Sequence, residues 1–236
     1  MKKIVSLLFV AFLLMGWSVA NAQRSVSANQ LSRASKQKQY KNPYSRENQR
    51  KTGPTSVGTF FAEYNPHTWH FSNAGHSDNT TGYHGVSVGF NYMVPFAGAL
   101  GFDAGLKGQY LFRSKKEGGN TNKFEMFSAT VPVDLVYDWR VSDGLAIDPY
   151  AGVYGRLNFM AKNKQDVTGG GRTTVDWFDK SQVASTMKRF QIGWQAGVNF
   201  RISDMVTIGG AYWSDLSKIK EHTTIHGFNI MLGANF

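Results

Sequence analysis

From residue 57 onward, apolar and polar positions alternate one for one through a succession of short segments. Successive side chains on a strand point to opposite faces, so a period of two predicts strands with one apolar face and one polar or small-residue face. The clearest stretch is 190–202. Phe190, Ile192, Trp194, Ala196, Val198, Phe200 and Ile202 share one face, and Gln191, Gly193, Gln195, Gly197, Asn199 and Arg201 the other. Segments near 85–96, 100–112, 127–140, 145–159 and 206–212 read the same way, and a weaker one places Phe60, Ala62 and Tyr64 opposite Thr59 and Glu63. The last segment sets Phe228, Ile230, Leu232, Ala234 and Phe236 against Gly227, Asn229, Gly233 and Asn235. Small turn-forming stretches (Ala97-Gly98-Ala99, Ser142-Asp143-Gly144, Ser203-Asp204) alternate with longer polar stretches near 65–83, 113–123, 161–188 and 215–221. Eight strands joined by alternating short and long connections predict an all-β, antiparallel up-and-down barrel spanning a membrane, as domain 56–236.

Composition supports that reading. Aromatics make up 14% of the chain and Gly 25 residues, yet mean hydropathy is negative. A transmembrane barrel turns its rings to lipid and fills its bore with polar and small side chains, which lowers the average. A soluble lipocalin-like barrel or sandwich also alternates, but explains neither the terminal Phe236 nor the segregation of aromatics from charges. Before the barrel, Lys2 and Lys3, an uncharged apolar run from Ile4 to Trp17, and Ala20-Asn21-Ala22 have the form of a signal peptide covering 1–22. The absence of Cys removes any disulfide framework and any lipid-carrying thiol. Residues 23–55 hold eight basic residues and one acid, Glu47, whereas residues 56–236 carry an excess of only one positive charge. That segment is expected to be a disordered basic tail on the periplasmic side, where nucleic acid is no partner.

Residues 57–236 resemble the small OmpA/OmpX-type outer-membrane barrels in strand pattern, turn order and final Phe236. The resemblance does not extend to a peptidoglycan-binding domain. It implies outer-membrane lipid and lipopolysaccharide as surroundings, and recognition of Ile230, Leu232, Ala234 and Phe236 by the barrel assembly machinery. Both termini would be periplasmic, with an extracellular or periplasmic partner left unidentified. Such barrels serve as structural proteins, adhesins, pores or lipid-modifying enzymes, so the family constrains fold more than function.

Ten charged residues are expected inside the barrel: Glu63, Asp103, Asp134, Asp138 and Asp148 as acids, and Lys107, Arg113, Arg140, Arg156 and Arg201 as bases. An eight-stranded barrel is just wide enough for its own side chains, so a balanced network filling the bore is favoured over an ion path. Deacylating barrels of the resembled kind place a Ser and a His on one outer face. Here His84 and Ser87 point to opposite faces, which argues against a lipid A-modifying enzyme. No catalytic residue or cofactor is assigned. Trp177 and Phe178 lie in the longest polar stretch, either as a recognition tip or folded back onto the barrel mouth. All six histidines (His67, His70, His76, His84, His222, His226) fall near the first and last long connections, which barrel closure makes neighbours. With Trp69 and Phe71 they form a candidate rim for a metal or haem, without tight ligand spacing. The expected role is structural or surface-interacting and non-enzymatic, with a narrow pore, metal or haem capture, and lipid modification as alternatives.

Overall fold

The structure, a computed structural model, describes residues 56–236 apart from 74, 75, 143, 168 and 169. The signal peptide and basic tail expected over 1–55, and Asp143 and Gly169 of two expected connections, lie outside the described residues. Strands follow in the order β1 (Val57–Tyr64), β2 (His67–Asn73), β3 (His76–Ala97), β4 (Leu100–Glu117), β5 (Asn120–Tyr137), β6 (Trp139–Ser142), β7 (Leu145–Val167), β8 (Gly171–Asp176), β9 (Phe190–Ile202), β10 (Val206–Asp215) and β11 (Thr223–Asn235).

Antiparallel pairing runs β1-β11-β10-β9-β7-β5-β4-β3, and β3 pairs with β1 to close the ring at eight staves. Closure leaves no free sheet edge, the condition for a sheet to cross a bilayer. The remaining elements are continuations. β2 prolongs β1 past Asn65-Pro66, where proline supplies no ladder N–H, and pairs with both β3 and β11. Asn65 fills the break, its backbone N–H donating to Gly85 O (2.8 Å) and its Nδ2 to Ser87 Oγ (2.7 Å). β6 prolongs β5 beyond Asp138, whose backbone N–H leaves the β7 ladder and donates to Ala99 O (2.8 Å). The 127–140 segment, expected to be continuous, is therefore broken at a buried carboxylate.

The apolar face of each stave looks outward. Val86, Val88, Val131, Val133 and Val153 are 45–53% exposed, whereas their inward neighbours Ser87, Thr130, Asp134 and Arg156 are 1–5% exposed. Aromatics border this band at both ends: Phe96, Phe102, Tyr137 and Trp139 towards the chain termini, and Tyr64, Phe112, Phe190 and Phe228 towards the long connections. This is the surface a bilayer core flanked by interfaces requires.

Two of the stretches expected to be loops, 65–83 and 113–123, are largely strand, and 161–188 is strand over nearly half its length. β3, β4, β5 and β7 run for 22, 18, 18 and 23 residues. A membrane-crossing strand needs about 9–11. Residues 67–73 and 76–83 form a hairpin, β4 and β5 stay paired up to Glu117↔Asn120, and β7 continues into a hairpin with β8. Water lies on both faces of these extensions, so polar residues occupy both and the period of two vanishes while the hydrogen-bonded ladder continues. The β4–β5 connection shrinks to Gly118-Gly119, both at positive φ (54° and 85°), the backbone of a tight type I′ hairpin.

Candidate functional site

The inward residues stack in layers from the end carrying the short turns to the end carrying the long connections. Nearest the short turns, Arg201 Nη2 lies 3.0 Å from Asp138 Oδ1 and 3.4 Å from Asp148 Oδ1. In the middle, Lys107 Nζ donates to Glu63 Oε2 (3.1 Å), and Asn229 Nδ2 donates to Glu63 Oε1 (3.1 Å). Beside them Asp103 and Asp134 face one another across the β4–β5 ladder; Asp103 accepts from Asn91, and Asp134 from Gln195 Nε2 (2.7 Å). Above, Arg156 is ion-paired to Asp215, which also accepts from Tyr154 Oη (2.7 Å). Asn158 and Gln191 hydrogen-bond to each other over this pair.

An apolar cap follows. Leu111, Met126, Ile219 and Ile225 are fully buried, and Phe124, Met187 and Trp213 nearly so. Voids between the layers include three of about 10, 20 and 30 Å³, room for about one water each. A charge enclosed so tightly is held by its partners or not at all.

Two of the ten expected interior charges lie elsewhere. Arg140 is exposed at the short-turn rim, 3.6 Å from Asp138 Oδ2 and 3.7 Å from Asp204 Oδ2, because its strand has by then reached the end of the bore. Arg113 lies above the cap, its guanidinium 4.7 Å from the Tyr83 ring centre, because β4 has by then left the narrow bore. The sequence reading also missed Asp215, placing it in a loop. The inward series Thr207, Gly209, Ala211, Trp213, Asp215 was there to be followed, but Trp213 beside Tyr212 obscured it. Among the described residues the bore thus holds six acids (Glu63, Asp103, Asp134, Asp138, Asp148, Asp215) and three bases (Lys107, Arg156, Arg201), not a balanced set.

Above the cap opens a vestibule of about 720 Å³, walled by the strand extensions and by the segment between β8 and β9. Trp69 stacks on Tyr83 (centroids 4.9 Å apart, planes 13° apart), and Phe124 meets both edge-on at 5.1 and 5.7 Å. Trp177 and Phe178 fold back onto the cap. Trp177 N–H donates to Ala161 O and Met187 N–H to Trp177 O, both at 2.9 Å. Lys220 Nζ lies 4.5 Å from the Trp177 ring centre, and Arg189 is 4.2 Å from that of Phe178. Hydrogen bonds from Arg172 and then Lys123 hold the Asp166 carboxyl below its usual range. Asp179 is lowered likewise by the hydroxyl and backbone N–H of Ser181.

The first and last long connections are neighbours, through β2–β11 pairing, but the six histidines do not converge. His67 is buried on the inward face, between Tyr83 and Trp213. His84 bonds the Tyr64 hydroxyl (2.6 Å), and His226 packs near Tyr212. His70 bonds Asn79, His76 is exposed near the hairpin tip, and His222 lies 3.6 Å from Glu221. Among the described residues no group of three or more His, Cys, Asp or Glu is placed to hold a metal ion. Ser87 is buried in the bore while His84 is bonded to Tyr64 on the far face of β3. Ile230, Leu232 and Ala234 share the outward face of β11, and Phe236 is 49% exposed.

Among solved structures, the chain is similar to Ail, the attachment invasion locus protein of Yersinia pestis (13% identity, 78% of this chain and 100% of that one, TM-score 0.47). Others are OprG of Pseudomonas aeruginosa (12%, 78% and 97%, 0.42) and Neisserial surface protein A (15%, 75% and 95%, 0.41). No curated protein matches the sequence. Residues 25–221 match the model of the outer membrane protein beta-barrel domain; with the closed eight-stave ring and its apolar outer face, the chain belongs to that family of outer-membrane barrels.

Proposed function

We propose that this barrel is a non-enzymatic, non-conducting anchor that presents its long-connection end to the cell exterior as an interaction surface. The observation that carries this reading is the sealed bore: three ion-paired or hydrogen-bonded layers and an apolar cap, with voids of only about 10–30 Å³ between them. A pore needs a continuous hydrated path, whereas Arg156, Arg201, Leu111 and Ile225 leave room for isolated waters. The built features lie instead at one end, where four strands rise well past bilayer length and carry the vestibule. Long connections face outward and short turns inward in barrels of this architecture. Both chain ends and the basic segment 23–55 then belong to the periplasmic side.

Two measurements test this. Proteoliposomes in an isotonic small sugar should swell no faster than empty vesicles; faster swelling would overturn the sealed reading. Trypsin added to intact cells should cut after the exposed Arg172 or Lys180 and spare the basic residues of 23–55. Cleavage in that segment, with the other sites intact, would reverse the orientation.

A further inference from the structure

We propose that the vestibule is a binding site for an acidic oligosaccharide, of the uronic-acid type. This rests on the reading of that end as the interaction surface and names the ligand it takes. Its volume of about 720 Å³ falls within the range of small-molecule sites. A smaller cavity of about 340 Å³ adjoins it, sharing Lys220 and Glu221 and adding Lys188 and Lys218.

Charge pairing decides the sign of the ligand. On the outer wall, cations are matched: Lys123 and Arg172 to Asp166, and Lys164 to Glu125. In the cavities, Arg113, Lys188, Lys218 and Lys220 have no carboxylate oxygen within 4.0 Å among the described residues. The lining holds two acids, fewer than its cations: Asp78, whose Oδ1 accepts the Asn79 N–H (2.8 Å), and Glu221, which lies 3.6 Å from His222 Nε2. Arg113 and Lys220 instead rest on the faces of Tyr83 and Trp177, at 4.7 and 4.5 Å, which holds their charge at the wall without neutralising it.

The rest of the wall selects a ring with many oxygens. Trp69, Tyr83 and Phe124 give a rigid aromatic floor, a surface for the apolar face of a sugar. Cations in excess of the two lining carboxylates, set beside an aromatic floor, fit a carboxylated sugar better than a neutral sugar or a hydrophobic ligand.

The test is titration of the full-length barrel, in phosphatidylcholine vesicles, with trigalacturonate and with neutral maltotriose, read by tryptophan emission. Trigalacturonate should bind at least ten-fold more tightly than maltotriose. Arg113→Gln and Lys220→Gln should each weaken it about ten-fold while leaving circular dichroism unchanged. Absence of binding, equal affinity for the two sugars, or undiminished binding by both variants would overturn the site. Vesicles containing lipopolysaccharide separate the sources of the chemistry. Competition there identifies a membrane glycolipid as the resident sugar, and unchanged binding a free glycan. The vesicle titration does not depend on orientation in cells, so its failure and that of the surface-facing reading are separately visible.

Discussion

Asp215→Asn removes one charge from the sealed bore with almost no change in volume. Asp215 and Arg156 are 0% and 2% exposed in their side chains, and Asp215 is the only carboxylate paired with Arg156 among the described residues. Arg156 Nε already lacks a partner, and the adjoining void of about 10 Å³ takes at most one water. The substitution therefore strands a guanidinium that water cannot resolvate. Breaking one side of such a pair costs about 3–5 kcal/mol, and retention of one amide acceptor for Tyr154 and Arg156 places this variant near about 3. Replacing both partners, as Arg156→Met with Asp215→Asn, should return stability to within about 1 kcal/mol of the parent, a coupling of about 2 kcal/mol or more. Equilibrium unfolding in lipid vesicles reads this directly, because Trp213 lies 5.5 Å from the Arg156 guanidinium and reports by emission. A cost under about 1 kcal/mol for Asp215→Asn, with additive behaviour in the double variant, would mean that water reaches the pair and the bore is not sealed.

Three further outcomes follow from the same geometry. A Cβ on Gly193 would fall on the Tyr154 ring and close to Ser214 O, whereas one on Gly108 meets nothing within 4 Å; Gly193→Val should block assembly of the heat-modifiable folded form and Gly108→Ala should not. Asp134→Asn relieves two like charges directly opposite on β4 and β5, so it should leave unfolding stability unchanged or raised, while Lys107→Met, which strands Glu63, should lower that stability by about 3 kcal/mol. Asp166 and Asp179 are held below the ordinary carboxylate range, so their support of the β7–β8 hairpin and the folded-back segment is complete above the unfolded value of about 4 and fades as pH falls through the folded values. Amide protection around Ser181 should therefore drop below about pH 4 while that of β9 persists; protection unchanged down to pH 2 would contradict it.

Wherever lipid bounds one face and packed side chains the other, the barrel was legible in the sequence, because the period of two survives there. Phe190–Ile202 reads from sequence as it sits in the ring. The signal failed where that asymmetry ends. Lys162 to Gln165 have water on both sides, so the ladder continues with no apolar face to mark it. It failed again at the end of β6, where Arg140 keeps the register of Asp138 against β7 but has already reached the rim instead of the bore. The inward charges were readable one stave at a time, but their partners were not. Arg156 and Asp215 are 59 positions apart, and only ring closure and register bring them together. The vestibule was the least legible part, since Trp69 with Tyr83, Phe124, and Trp177 come from three separate parts of the chain that shared no pattern. Grouping histidines by loop proximity misled for a related reason: adjacent residues on one strand face opposite ways, so His67 is buried while His84 and His70 are not.

The most direct test of the sealed-anchor account is single-channel recording from the full-length barrel in planar bilayers. The account predicts no stable conductance steps above the bare-lipid baseline over the usual range of applied potential. A long-lived open level in the unmodified protein, its ion selectivity altered by Asp138→Ala or Arg156→Ala, would contradict it.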